Sequence, residues 1–471
     1  MIQVDSLAAM LQKKRWFGAK EREITGASLI DDTVVDEGPP PLMASLVRID
    51  FADGGSDVYN LLLTATSGDE LQDPFEKDSD RLTAVARHMA HGSTLRGTRG
   101  SFRFSGPGLD PMSEPGQSSV RSVSSEQSNS SVIFDEEIIV KVLRRVEPGP
   151  NPELEMARLL TGEGFDNIPA QVGELRYEPD ETNSEADFYD LGIAQRFLRN
   201  ARDGWQETLS HVDQLFQHAS ILDPEDLRRD VEEEASEILE RIEELGDVTA
   251  GLHVMLARDG LDVEFSAEPI GSADLKQWAE RAHDSLERAR RAGALEGLTA
   301  GVTRVIELLA TVSDPGAKMR IHGDYHLGQT MLTERGWMIL DFEGEPARSL
   351  EDRRSKDSPL RDVAGMLCSF SYAATAALFN RAEPASREWL DLKPVAEAWE
   401  DLARERFMRA YLRTSHEGEF LPDEESTGIM LNVLEIHKAL YELAYERSHR
   451  PAWARIPLEG IRHAIEREEA R

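Results

Sequence analysis

The chain has 471 residues, so two or three folded units are expected rather than one. Its 53 Lys and Arg against 88 Asp and Glu leave a formal charge of −35, which argues against a nucleic-acid coat or a polybasic membrane anchor, since both need clustered positive charge. The 40% apolar content, with 7 Trp, suffices for ordinary cores, and the single cysteine, Cys368, rules out an intrachain disulfide and a multi-cysteine zinc site and fits a reducing compartment.

In chain order, the first residues, MIQVDSLAAMLQKKRWFG, carry a charge at Asp5 and have no apolar stretch ahead of their basic residues. That is the wrong order for a secretory signal, so a cytoplasmic location is expected. Residues 1–95 alternate short apolar runs, PLMASLVRIDF and VYNLLLTAT, with turn signals at GPPP and DGGSD, and read as a small α+β unit. Within it KKRWFG makes a small basic patch whose aromatic pair belongs in a core. Residues 105–131 are rich in Ser, Gly and Pro, like a linker. They feed directly into SVIFDEEIIVKVLRRV, however, which reads as strands over 131–134 and 138–142 around an acidic turn, and a polar loop entering a hairpin can hold a ligand. Asn151 then caps a short helix, with Pro152 in its first turn and Gly162 and Gly164 near its end, and LGIAQRFL follows as a strand.

From Asp203 onward the pattern is mostly helical. DLRRDVEEEASEILERIEELGDVTAGLHVML shows helical apolar spacing and an acidic outer face, expected to be solvated. The uncharged stretch 363–379 is shorter than the roughly 20 residues of a membrane span and is diluted by Ser, Thr and Gly, so a buried helix is expected there. No internal repeat is visible.

The chemistry concentrates in MRIHGDYHLGQTMLTERGWMILDFEGE, residues 319–345. It reads as a strand entry, a polar loop, a hairpin with its turn at 334–336, and a strand ending at Asp341 and Glu343. Phosphoryl transfer needs a carboxylate that orients the acceptor and oxygen ligands for magnesium from a nearby loop and strand end. Asp324 would accept the proton of the attacking hydroxyl, Gln329 would offer a neutral amide oxygen, and Asp341, with Glu343 beside it, would hold the metal that clamps the phosphates. His322 and His326 are four apart, as zinc ligands on a helix are, but Gly323 and Gly328 make a helix improbable and no HExxH pattern is present. His322 is expected to be a structural loop residue bonded to backbone. Further on, Tyr441, Glu442, Tyr445 and Glu446 are spaced to form one aromatic and acidic helix face, with Arg450 and Trp453 following. Such a face suits a sugar, whose apolar side stacks on rings and whose hydroxyls donate to carboxylates. An ordinary amphipathic helix with two boundary tyrosines is the plainer reading.

HGDYHLGQ followed by LDFEGEP resembles the catalytic and metal-binding segments of the aminoglycoside phosphotransferase-like kinases, which share the two-lobed protein kinase architecture. The whole chain resembles the bacterial maltokinases more closely. The similarity runs through KKRWFGAK, SNSSVIF, KVLRRVEPGPNPELE, IHGDYHLGQ, LDFEGEPARSLEDRRSKDSPLRDVAGM and YELAYERSHRPAWARIPL, from one end of the chain to the other. It implies an α+β, two-lobed protein kinase-like fold. The expected divisions are an N-terminal cap over 1–95, a β-rich nucleotide-binding part over 96–200, and a helical C-lobe over 201–471, with ATP and Mg2+ meeting between the lobes. The implied activity is ATP-dependent phosphorylation of maltose at its anomeric hydroxyl, giving maltose 1-phosphate for α-glucan synthesis. A maltose-producing trehalose synthase is the partner the family implies.

The resemblance also implies residue roles. Lys141 would contact the ATP phosphates. Because an unpaired cation there is costly, it needs a partner, with Glu155 the choice and Glu153 the fallback. A lysine of an edge strand pointing into water is the bland reading. The loop 127–131, from Gln127 on, takes the place of the kinase glycine-rich loop without a glycine, so backbone amides and Ser128, Asn129 and Ser130 would cover the phosphates. Adenine would bond main-chain groups near Gln195 and Phe197. Asp362 would hold the catalytic loop's backbone, and Arg354, Lys356 or Arg361 would face phosphate or pair with neighbouring acids. For the sugar, Tyr441, Glu442, Tyr445, Glu446, Arg450 and His326 are the implied residues. A kinase of glucosamine or an aminoglycoside is the alternative. A non-enzymatic nucleotide-binding scaffold is disfavoured, because Lys141, Asp324 and Asp341 are all retained.

Overall fold

The computed structural model describes residues 4–65, 71–106, 119–123, 128–181, 187–219, 223, 225–295, 297–345 and 348–470. Most of the polar stretch 105–131, Gln127 included, lies outside the described residues. The chain forms two compact units, Met1–Arg199 and Asn200–Arg471. The first is built on antiparallel sheets and the second is dominated by helices, as the α+β expectation requires.

In the first unit, Leu42–Phe51 pairs antiparallel with Ile24–Asp36 and Ser56–Ala65. Its two faces go to different clusters, which is why it reads as an almost continuous apolar run. Leu42, Ala44 and Leu46 pack with Val132, Val140 and Leu191 of the larger sheet, whereas Val47, Ile49 and Phe51 pack with Leu7, Leu11, Trp16 and Phe17. The WF pair of the basic patch is therefore core. The larger sheet runs Thr94–Arg96, Gly100–Ser105, Gln171–Pro179, Tyr189–Arg196, Ile138–Val142, Ser130–Phe134, Val120–Val123. The expected hairpin lies next to its Val120–Val123 edge, with Phe134 opposite Ile138 and both Asp135 and Glu136 at φ +52°, a tight turn made without glycine.

Arg144 is fully buried. Its guanidinium donates to both oxygens of Asp73 (3.1 and 2.8 Å) and to Ser130 Oγ (2.8 Å), and lies over the rings of Trp16 and Phe75. A buried cation needs this density of acceptors to offset its desolvation. Arg144 thus ties Trp16, Asp73 and Phe75 to the strand at Ser130.

In the second unit, Ser236–Leu256 packs along Arg387–Ser415. It buries Ile238, Ile242, Leu245, Thr249 and Leu252 at helical spacing. Its acidic side is not simply solvated: Glu243 accepts from Arg406, Arg409 and Arg413, and Asp247 also accepts from Arg413. The uncharged stretch forms Leu360–Arg381, a helix long and apolar enough to cross a membrane, but 72% of its apolar window is buried inside the protein, so it is a core helix. The hairpin Thr330–Thr333 and Gly336–Ile339 turns where expected and is joined by Arg202–Asp203.

Candidate active site

The first unit places Lys141 on the strand Ile138–Val142. The helix Pro152–Gly162 starts at Asn151, whose side chain accepts from the backbone of Glu153 and Leu154, with Pro152 at its first position. Lys141 Nζ donates to Glu153 Oε2 at 2.9 Å, with 15% and 4% of the two side chains exposed. This corrects the choice of Glu155. Two residues on a helix are about 200° apart, so only one of the two glutamates can point at the strand, and spacing alone does not say which.

The polar loop also needs correction. Asn129 and Ser130 are buried and turned towards Arg144: Asn129 Oδ1 accepts from the Arg144 N–H (3.3 Å), and Ser130 Oγ accepts from Arg144 Nε. Of the three side chains expected to cover phosphates, Ser128 is the exposed one. On the strand Tyr189–Arg196 and just beyond, the Phe197 N–H already donates to the Glu137 carbonyl (2.7 Å) and the Arg196 N–H to that of Ala170 (2.9 Å). Those two donors are not available to an adenine.

The second unit holds the loop around Asp324. Asp362, at the start of Leu360–Arg381 and 1% exposed, accepts from the N–H groups of His322 (2.8 Å) and Gly323 (2.9 Å) and from His253 Nε2 (3.2 Å). Burial alone would raise its carboxyl pKa, yet the hydrogen bond and charge of His253, the nearby His322 and the Gly323 N–H hold it below the ordinary value. His322 Nε2 donates to the Leu340 carbonyl (2.8 Å), so His322 is a backbone-bonded loop residue. Its ring packs on Tyr325 and Phe342. Gly323 has φ +82°, a conformation open to glycine, and a side chain at Gly365 would meet the Tyr325 carbonyl at 2.5 Å. The loop is therefore clamped on three sides.

His326 caps the short turn Leu327–Gln329, its Nδ1 accepting from the Gly328 N–H (3.0 Å). Burial lowers its pKa, partly countered by Asp324. The Leu340 N–H donates to the Gln329 carbonyl (2.9 Å), which brings the two ends of the hairpin together just before Asp341. Asp341 has φ +61°, a strained backbone of the sort that persists where function demands it, at a cost of roughly 1–3 kcal/mol. One carboxylate oxygen each from Asp341 and Glu343 lie within 4.8 Å of each other. Hard anionic oxygens at that separation fit Mg2+.

Asp324 opens on a cavity of about 230 Å³ lined by Arg288, Glu345, Arg348, Arg361, His437, Lys438 and Tyr441, among others. Burial first, then the neighbouring Glu345, pushes the Tyr441 hydroxyl up to about 12. Lys438 was not anticipated from sequence. It lies 3.5 Å from Asp324 and 3.0 Å from Glu442, one helical turn on. The available signal was its rarity, as one of ten lysines in the chain, together with its i,i+4 spacing to Glu442.

The expected sugar face divides. Tyr441 lines this cavity and Glu442 pairs with the lysine on its edge, whereas Tyr445, Glu446 and Arg450 do not line it. Glu446 is wholly buried and accepts from Arg450 at 2.9 and 2.6 Å, and Tyr445 stacks on His449. Arg450 also covers Trp453. Those three residues close the end of the helix instead of facing Asp324. Arg361 lines the cavity, while Arg354 and Lys356 pair with Glu264 and Glu268.

Residues 119–367 match the family model described as phosphotransferase enzyme family, and residues 10–94 match the maltokinase N-terminal cap domain. Two proteins named glucosamine kinase are similar to the chain, each 26% identical over 347 residues, 72% of this chain. That of Mycolicibacterium smegmatis is covered over 77% of its length, and that of Streptacidiphilus jiangxiensis over 71%. A solved glucosamine kinase in complex with glucosamine, ADP and inorganic phosphate superposes with a TM-score of 0.66 at 21% identity, over 97% of this chain and 98% of that one. A second crystal form gives 0.68 at 20%, over 96% and 97%. At that identity the likeness shows a common, kinase-like fold.

Proposed function

The chain belongs to the phosphotransferase enzyme family, and from that premise we propose that it phosphorylates maltose at the anomeric hydroxyl, with ATP as donor, to give maltose 1-phosphate. The observation that carries maltose over other acceptors is the match of residues 10–94 to the maltokinase cap. In this reading Asp324 orients the acceptor hydroxyl and takes its proton, from a loop that Asp362 pins by two backbone hydrogen bonds. Pinning the loop fixes the carboxylate before the acceptor arrives, which is the larger part of catalysis by positioning. Lys141, held by Glu153, neutralises phosphate charge, and Ser128 with the loop backbone covers the phosphates. Main-chain groups near Gln195 and Phe197, other than the engaged N–H groups of Arg196 and Phe197, receive the adenine. Gln329, Asp341 and Glu343 would hold Mg2+, which when bound supplies charge neutralisation on the transferring phosphates. Tyr441, which lines the cavity beside Asp324, and Glu442, which pairs with Lys438 there, are the acceptor-side residues of this reading, together with His326.

We place the cap at 1–95, the nucleotide-binding part at 96–200 and the helical lobe at 201–471, in a cytoplasmic enzyme that draws maltose from a trehalose synthase and feeds α-glucan synthesis. The second reading, a glucosamine kinase, is favoured by the names of the two curated relatives. ATP- and Mg2+-dependent turnover of maltose, glucose, glucosamine and kanamycin, with the phosphate position read by phosphorus NMR, tests both. Anomeric phosphate on maltose is the expected product, and turnover of glucosamine without maltose would establish the second reading.

A further inference from the structure

Lys438 sits among the groups that would read an acceptor's charge. Its ammonium lies 3.5 Å from Asp324, 3.0 Å from Glu442 and 5.6 Å from the centre of the Tyr441 ring, and about a quarter of its side chain is exposed. Burial would lower its pKa, but Glu442 and Asp324 lift it above the ordinary lysine value, so the charge is permanent at neutral pH. The cavity around it reverses the balance of the chain. Arg288, Arg348, Arg361 and Lys438 line it against the two carboxylates Asp324 and Glu345, in a protein whose acids outnumber its bases.

An amino sugar carries an ammonium group and is recognised by carboxylates free to accept from it. Here Asp324 and Glu442 already have the Lys438 cation between them, and Glu345 is paired with Arg348 and Arg361. A second ammonium would meet the lysine and the arginines at short range, where like charges repel in a partly desolvated site. A neutral sugar escapes this repulsion, and Lys438 can donate to its hydroxyls.

We propose that Lys438 is a specificity-determining residue that stands in for the ammonium of an amino sugar and so admits neutral acceptors while rejecting cationic ones. This rests on the cavity beside Asp324 being the acceptor site. The repulsive element is part of the chain itself, a fixed charge that a single substitution removes.

The test compares glucosamine with glucose, which differ by one ammonium against one hydroxyl, on the wild type, Lys438→Met and Lys438→Arg. Binding is measured by calorimetry in the presence of a non-hydrolysable ATP analogue and Mg2+, and kcat/KM is measured for whichever sugar turns over. Lys438→Met is expected to shift the glucosamine-to-glucose ratio by tenfold or more towards glucosamine, and Lys438→Arg to leave it near the wild-type ratio. A merely structural lysine would weaken both sugars together. An unchanged ratio in Lys438→Met, or a wild type that already prefers glucosamine, overturns the proposal. Should Lys438→Met fail to fold because Asp324 and Glu442 then face each other, Lys438→Met with Glu442→Gln removes that repulsion, and the same shift is required of it. Failure of the wild type on maltose would overturn the maltose reading while the glucosamine-to-glucose ratio still decides the role of Lys438.

Discussion

Two successive turns of one helix, Glu424–His449, carry nearly the same chemistry and do different things. The turn at 438–442 presents Lys438 and Tyr441 to the cavity beside Asp324, with Glu442 paired to Lys438. The next turn offers Tyr445, Glu446 and Arg450, again an aromatic ring, a carboxylate and a cation, but folds them on themselves, with Glu446 fully buried beneath Arg450. The carboxylate separates the two. In the first turn the lysine and glutamate keep 25% and 20% of their side chains exposed, enough to meet a ligand, whereas in the second the carboxylate has none. A pattern of residue types therefore marks a surface as able to bind, and only its surroundings decide whether a ligand can reach it.

The largest effect expected is at the residue that the first turn faces. Asp324→Asn should lower kcat by roughly 10²–10⁴-fold while leaving the melting temperature little changed, because the loop is held through Asp362 and not through Asp324. A variant that turns over normally would break the assignment of that cavity to the acceptor. The complementary substitution on the second turn, Glu446→Gln, should cost roughly 1–3 kcal/mol by leaving Arg450 partly unpaired, visible as a lower midpoint in chemical denaturation. KM for the acceptor should stay as it is, and a raised KM would return Glu446 to the binding site.

Removing the two tyrosine hydroxyls gives a finer contrast. Tyr441→Phe should raise KM several-fold, equivalent to roughly 0.5–1.5 kcal/mol for one hydrogen bond, whereas Tyr445→Phe should change neither KM nor stability by more than about 0.5 kcal/mol. Equal effects at the two positions would erase the distinction between the turns. The smallest effect is confined to acid. His437, one residue before Lys438, has its pKa lowered to about 3 by burial and by Arg361, Arg348, Arg281 and Arg288. The unfolded chain therefore takes up this proton first, so the contribution of the neutral imidazole is complete above about pH 6.5 and is lost as pH falls towards 3. His437→Asn should flatten the decline of stability across that window and leave the value at pH 7.5 nearly as it was.

The loop geometry was legible from sequence because it depends on local order. HGDYHLGQ and LDFEGE fix which residues flank the hairpin, and glycine at 323 and 336 marks the turns, so the positions of Asp324, Gln329 and Asp341 follow from the chain itself. The cap of the helix after Asn151 and the buried helix at 360–381 were legible for the same reason. What sequence did not give was facing. Glu153 and Glu155 differ only by rotation about a helix axis, and Asn129 and Ser130 were turned inward by Arg144, a residue whose burial depends on Asp73, 71 positions away. Lys438 meets Asp324 across more than a hundred residues of chain, a contact that no local pattern encodes.

The buried guanidinium of Arg144 has a consequence for inheritance and engineering. It bonds Asp73, lies over Trp16 and receives the side chains of the loop at 129–130, so three stretches of chain are mutually conditional. A chimera that exchanges the first 95 residues must import an acid at position 73 and a ring at position 16, or replace Arg144 with a neutral residue at the same time. Otherwise the transplant strands a charge in the interior, and the loop beside Ser128 loses the anchor that sets its shape. The two ends of that arrangement are thus expected to have been passed on together.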